Sequence, residues 1–219
     1  MTLMITAVRH GQSESNVAFE EALRTGRAVV LDGRDRDVSL TPLGREQATG
    51  LGRRLAVGDP PDLVLCSPYR RAVQTWELAA AELGAAPEVR LEPRLGDYDM
   101  GRWSGMNPIA LRERFPGESE NLVARLYGGF RPPEGESFQD VADRVREVYG
   151  ELCAGHAGCR VLIVAHDSIV LMLKHVIEGI PIASVEAFAP VGNASVSVWR
   201  GIRPEVFNEM GHLPGTRPR

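Results

Sequence analysis

Arg9-His10-Gly11 and His166-Asp167 are the residues of this chain whose types and settings could do chemistry. Each group closes an apolar run rich in β-branched residues: Met4-Ile5-Thr6-Ala7-Val8 before Arg9, and Val161-Leu162-Ile163-Val164-Ala165 before His166. Such runs read as buried strands that deliver chargeable groups at their carboxyl ends. In sheets whose strands alternate with helices, ligands sit at those ends, so histidines far apart in sequence can converge on one site. A lone histidine beside an apolar run is more often a satisfied core or surface residue than a catalyst. Arg9 changes the balance, because a guanidinium at a buried strand end is unfavourable unless an anion or carboxylate pairs with it.

A phosphate monoester dianion is one anion that would meet that need. Phosphoryl transfer requires an in-line nucleophile and preorganised positive donors around the equatorial oxygens. Guanidiniums supply forked donors, a neutral imidazole supplies the nucleophile, and a second imidazole supplies a further donor or proton. Arg70 and Arg71 are further candidates, placed by Ser67-Pro68 in the first turn of a helix, where backbone N–H groups suit anions. The scheme calls for no metal and no other cofactor.

The wider pattern resembles the histidine phosphatase superfamily, which includes the cofactor-dependent phosphoglycerate mutases. The resemblance rests on Arg9-His10-Gly11-Gln12-Ser13 with Asn16, Leu40-Thr41-Pro42-Leu43-Gly44 with Gln47-Ala48, Ser67-Pro68-Tyr69-Arg70-Arg71-Ala72 with Thr75, Gly135-Glu136-Ser137, and His166, in that order over roughly residues 3 to 200. It implies that His10 is the nucleophile that becomes phosphohistidine and that Arg9, Arg71 and His166 form the phosphate pocket. Arg71 rather than Arg70 matches the family arginine, since it directly precedes Ala72. Ser13 and Asn16 fall at positions near the phosphate, with local turn capping as the competing role. Gly11 would let the backbone approach the phosphate, unless it serves only a turn.

A leaving alkoxide needs a general acid, and the same carboxylate can later activate water against phosphohistidine. Asp97 falls where many family members carry glutamate, a departure that shortens the side chain by one methylene. Asp167 and Asp99 are its rivals, Asp167 because a His-Asp pair resembles the acid phosphatase branch. Phosphatase is favoured over mutase, because Val17-Ala18-Phe19 and Asp167 depart from the mutase-like pattern. The implied activity is a metal-independent phosphomonoesterase; mutase-type transfer and a catalytically weak phosphate-binding protein are the alternatives.

The elements that must position these groups follow from periodicity. Thr41-Pro42 opens a helix to about Leu55, Asp62–Cys66 reads as a strand, and a helix carrying Ala72, Trp76, Ala79 and Leu83 on one face follows. Gly44, Gly50 and Gly52 weaken the first of these, so tertiary packing must support it. Val89 to Leu91, Val161 to Val164 and Ala194 to Trp199 read as further strands, Phe138 to Leu152 and Ser168 to Glu178 as helices. The polar segment 12–39, with its run Asp32-Gly33-Arg34-Asp35-Arg36-Asp37, reads as a solvated helix and loop more readily than as a substrate-binding element.

The sum is a three-layer α/β sandwich with a mostly parallel central sheet flanked by helices. One domain is expected over residues 1–203, with a cap insertion over about 96–135 rich in Gly, Pro and aromatics, including Trp103, Tyr127 and Phe130. Residues 204–219 are expected to be a loosely held tail. The 219 residues, 43% hydrophobic, can bury a sizeable core, and a net charge of -4 argues against nucleic acid or an acidic membrane as partner. Cys66, Cys153 and Cys159 fit neither a disulfide framework nor a zinc site, which suits a cytoplasmic protein. The expected partner is a small anionic phosphorylated substrate, and the sequence leaves a homodimer open.

Overall fold

A computed structural model describes residues 2–84, 87–118, 120 and 129–213. Its strands are β1 (Met4–Arg9), β2 (Leu63–Cys66), β3 (Glu88–Leu91), β4 (Arg160–Ala165), β5 (Val196–Arg200) and β6 (Arg203–Glu209). They form one sheet ordered β3-β2-β4-β1-β5-β6. β3, β2, β4 and β1 run parallel, while β5 is antiparallel to β1 and β6 to β5. The helices are α1 (Glu14–Thr25), α2 (Pro42–Ala56), α3 (Arg70–Leu83), α4 (Pro108–Arg114), α5 (Phe138–Gly155) and α6 (Asp167–Glu178).

The strand period of two divides the core between two faces. Ile5, Ala7, Val161, Ile163 and Ala165 join one buried cluster with Val141, Val145 and Ile169 of α5 and α6. Val8, Leu162 and Val164 join another with Leu51, Ala72, Trp76 and Ala79 of α2 and α3. Cover on both faces explains why β1, β2 and β4 read as nearly continuous apolar runs.

The expected helix starts are largely present. Thr41 accepts from Gly44 N to cap α2, with Pro42 in the first turn. Ser137 and Asp140 form a capping box on α5. Ser67 is different: α3 starts at Arg70 after an N-cap, Tyr69, that makes no side-chain cap bond, and the Ser67 hydroxyl accepts from Tyr69 N–H at 3.3 Å while bonding His166 more closely. Residues 204–209, expected to open a loose tail, are strand. β6 pairs with β5 because its residues 203–209 fold back through the turn at Gly201, and the proline at position 204 sits on the sheet edge where no ladder donor is needed. The expected tail residues 214–219 and Tyr127 of the insertion lie outside the described residues.

Gly11 and Gly44 are fixed by a close backbone approach. A Cβ on Gly11 would lie 2.4 Å from Gly44 O, and one on Gly44 would lie 2.0 Å from Gln12 O. The amino end of α2 therefore presses on the turn that follows His10. Gly44→Ala gains up to about 1 kcal/mol of helix propensity. The overpacking is expected to outweigh that gain and lower stability by roughly 1–3 kcal/mol in urea denaturation. An unchanged or raised midpoint would show that the contact yields.

Candidate active site

Strand register brings the two histidines together. β1 and β4 are parallel with Arg9 opposite Ala165, so His10 and His166 are the next residues out, side by side at the carboxyl edge. His10 N–H donates to Ala165 O at 2.9 Å, and the imidazole centroids are 5.3 Å apart. β2 contributes Ser67, whose hydroxyl lies 2.8 Å from His166 Nε2.

The His10 tautomer follows from its neighbours. Nδ1 lies 2.7 Å from Gly11 O, and a carbonyl only accepts, so Nδ1 carries the proton and Nε2 presents its lone pair. Arg71 Nε donates to that Nε2 at 3.1 Å. Burial lowers the His10 pKa well below its ordinary value, and the neighbouring His166, Arg71 and Arg9 add to the effect. His10 is thus neutral and oriented, as a nucleophile must be. Burial likewise pushes His166 down to about 3, against the pull of Asp97.

Arg71 is almost fully buried, whereas Arg70 is exposed. Its Nη2 donates to Asp97 Oδ2 and to Asp35 Oδ2, each at 2.9 Å, and its Nη1 to Asp35 O at 2.7 Å and Asp35 Oδ1 at 3.2 Å. Thr75 ties this arginine to the turn after His10, accepting from Gly11 N and donating to Arg71 O. Arg9 donates through Nη1 to Val191 O. Two buried nitrogens here, Arg9 Nε and His166 Nδ1, make no hydrogen bond among the described residues, although Nδ1 faces the Asp97 carboxylate.

Asp97 reaches the centre despite being one methylene shorter than glutamate. It lies 3.3 Å from His166 Nδ1 and accepts from Tyr98 N and Ser168 Oγ, each at 2.8 Å. Its loop is held close by Arg144, which donates to the Asp97 and Arg94 carbonyls and pairs with Glu136. Burial alone would raise the Asp97 carboxyl, but His166, Arg71 and the Ser168 hydroxyl outweigh it and hold it below the usual carboxylate range. Asp167 differs, since burial raises it and the pull of Arg9 and the Val191 N–H only partly offsets this. Asp99 is exposed and accepts from Gly101 N. Ser13 and Asn16 form a capping box on α1, and Asn16 Oδ1 also accepts from Asn193 Nδ2.

Beside these groups lies a cavity of about 310 Å³. Arg9, Asp35, Asp97, Asp167 and Ser168 give it polarity, while Phe19, Met100, Met106 and Leu171 give it apolar wall. Residues of the insertion, Trp103 to Met106, supply another side, so that segment does border the site.

Asp35, Ser67, Ser168 and Arg144 were missed as site residues from sequence. Ser67 has a helix-cap pattern that masks its bond to His166, and Asp35 lies in a run of alternating charge that looks solvated. The buried Arg71 is the signal that could have pointed to a nearby carboxylate.

A three-layer α/β fold thus gathers two histidines and Arg9 at strand ends and Arg71 in the first turn of α3, a set of groups suited to a phosphate ester. A model of the Histidine phosphatase superfamily (branch 1) matches residues 5–205, and the chain belongs to that superfamily. It is similar to a 2,3-bisphosphoglycerate-dependent phosphoglycerate mutase of Methylorubrum populi, 35% identical over 193 residues that cover 85% of either chain. A glucosyl-3-phosphoglycerate phosphatase of Mycolicibacterium vanbaalenii is 31% identical over 198 residues, covering 87% of this chain and 81% of that one. Among solved structures, a mycobacterial glucosyl-3-phosphoglycerate phosphatase in complex with inorganic phosphate superposes with a TM-score of 0.76 at 27% identity, covering 95% of this chain and 98% of that one. The superfamily acts on small phosphorylated substrates, and no helix among the described residues is long and apolar enough to cross a membrane.

The depressed His166 pKa has a consequence for stability. Between about 3 and the ordinary value of 6.5 the unfolded chain binds the proton and the folded chain does not, so folding stability falls as pH is lowered through that window. Asp97, depressed as a carboxylate, adds loss in the same direction at the acid end. Urea midpoints measured from pH 7 down to 4 should therefore decline, less steeply in His166→Gln. A midpoint that rises on acidification would contradict the buried neutral imidazole.

Proposed function

We propose that the protein is a phosphomonoesterase that needs no metal, in which His10 Nε2 attacks phosphorus and carries the phosphoryl group as phosphohistidine. The observation that carries this reading is the orientation of His10: its Nδ1 proton is committed to Gly11 O while Nε2 faces the Arg71 guanidinium. The unpartnered Arg9 Nε supports it, because buried donors without partners are rare and an anion would satisfy this one. As Nε2 bonds to phosphorus, the ester P–O bond breaks and the alkoxide leaves with a proton from a carboxylic acid. Water, deprotonated by the same carboxylate, then splits the N–P bond and releases inorganic phosphate.

Asp97 is proposed as that acid and base. A phosphate dianion drawing on Arg71 weakens what holds the carboxyl ionised, so substrate binding favours the protonated form. Asp167 is a second reading, favoured by its raised pKa and its place in the same cavity. Ser13 and Asn16 are proposed to shape the phosphate end of the pocket through the α1 cap.

Hydrolysis is favoured over mutase transfer by the charge of the cavity. Among its described lining residues Arg9 is the one cation, against the carboxylates Asp35, Asp97 and Asp167. A phosphoglycerate would bring its own carboxylate against these, whereas an uncharged alcohol meets Tyr98, Trp103 and apolar wall without penalty. A cytoplasmic location and a homodimer belong to the same proposal. Three free cysteines suit a reducing compartment, and edge strand β3, with Val89 and Leu91 exposed, offers an open edge to a second copy.

Hydrolysis of an aryl phosphate in excess chelator should persist in the wild type and vanish in His10→Ala, with an acid-labile phosphoryl group trapped only in the wild type. Activity in both proteins, or its loss on chelation, would refute the scheme. Asp97→Asn should slow alkyl phosphates by about 10²–10⁴ and aryl phosphates, with their better leaving groups, far less. The same selective loss in Asp167→Asn, with none in Asp97→Asn, would move the role to Asp167.

A further inference from the structure

The Arg71 guanidinium has five N–H donors, and every one is taken. Nε–H goes to His10, both Nη1 protons to Asp35 O and Oδ1, and the Nη2 protons to Asp35 Oδ2 and Asp97 Oδ2. Asp35 alone holds three of them, including the forked edge that best matches a phosphate. A phosphate cannot gain that edge while Asp35 keeps it.

We propose that Asp35 is a displaceable internal anion seated where Arg71 would grip the substrate phosphate, so that this residue determines which ligands enter. The inference rests on the phosphate-ester reading of the site. It requires that Asp35 be able to leave, and its surroundings allow that. The segment is anchored on one side by Leu31 N–H to Gly105 O and on the other by Glu14 N–H to Ser39 O. Between those anchors, the hydrogen bonds of the described residues are two turn contacts, Asp37 N–H to Arg34 O and Val38 N–H to Asp35 O, and the contacts of Asp35 with Arg71. Gly33 sits in the left-handed region at φ +91° with nothing near its Cβ position, which gives the segment a free pivot. The Asp35 side chain is 39% exposed even while it binds a buried partner, so it has water to move into.

Displacement sets a threshold. A ligand must present two oxygens and enough negative charge to replace a bidentate carboxylate on one guanidinium. Phosphate monoester dianions meet it, whereas phosphodiesters, with one charge, and carboxylates compete poorly. The Arg71 Nε bond to His10 Nε2 also has to loosen for attack, and a phosphate pulling on the freed Nη edge acts on the same rigid group.

The test measures binding of inorganic phosphate by calorimetry and KM for an aryl phosphate in the wild type, Asp35→Asn, Asp35→Glu and Asp37→Asn. If the open state is a minor one, Asp35→Asn should tighten Kd and lower KM by about tenfold or more. Asp35→Glu, which keeps the competing carboxylate, should stay near the wild type. Asp37→Asn removes the same charge from the same turn without touching Arg71, and should change both constants far less. Equal tightening in Asp35→Asn and Asp37→Asn would reduce the effect to general charge and overturn the proposal, as would unchanged or weaker phosphate binding in Asp35→Asn. Hydrogen exchange on the wild type gives a second reading: phosphate should speed exchange at the Asp37 and Val38 amides, and unchanged or slower exchange there contradicts displacement. Absence of phosphate binding and of aryl phosphate hydrolysis in every protein, the wild type included, would instead remove the phosphate-ester reading itself.

Discussion

Placing guanidinium groups in a protein interior is the constraint from which the rest of this site follows. Arg71 is almost fully buried and Arg9 is partly so, and both lie beside imidazoles. Carboxylates must then come close, and Asp35, Asp97 and Asp167 do. The imidazoles are driven neutral by the same burial and the same positive field. The positive charge gathered here thus also keeps a proton off His10.

The scaffold meets that constraint through register rather than through long side chains. Parallel pairing of β1 with β4 sets His10 beside His166, and the neighbouring β2 brings Ser67 to the second imidazole. Side chains at sheet ends need only short reaches, so the geometry is carried by backbone hydrogen bonds that little else can distort. The Asp97 loop lacks such a ladder and is held instead by Arg144 and Glu136, an ion pair that gives Glu136 its part in the Gly135-Glu136-Ser137 pattern.

Much of this arrangement was legible in the chain, and the failures have physical causes. Strands ending in Arg9-His10 and His166 could be read because burial on both faces leaves a continuous apolar signature. Arg71 could be separated from Arg70 by its place in the motif, and its burial agrees. The bond of Ser67 to His166 could not be read, since Ser-Pro before a helix has the same appearance whether or not the hydroxyl also reaches another strand end. Asp35 was hidden for a different reason: a carboxylate bound to a remote arginine leaves no periodic trace among Arg34, Arg36 and Asp37. Strand β6 was concealed by Pro204, which an edge position tolerates. Gly11 was expected to matter for a turn or for phosphate, but its tightest demand comes from the backbone of α2.

β1 is an interior strand, paired on both sides by β4 and β5, and the His10 amide is bonded to β4. Regions so placed open with the core, while a surface segment such as 32–38 can open locally at the cost of its contacts with Arg71. His10 and the segment that carries Asp35 therefore belong to different cooperative units. A substitution that weakens the core far from the site reduces how many molecules are folded and leaves the turnover of each folded molecule as it was. Inheritance of damage in this fold is thus felt as abundance rather than as altered chemistry.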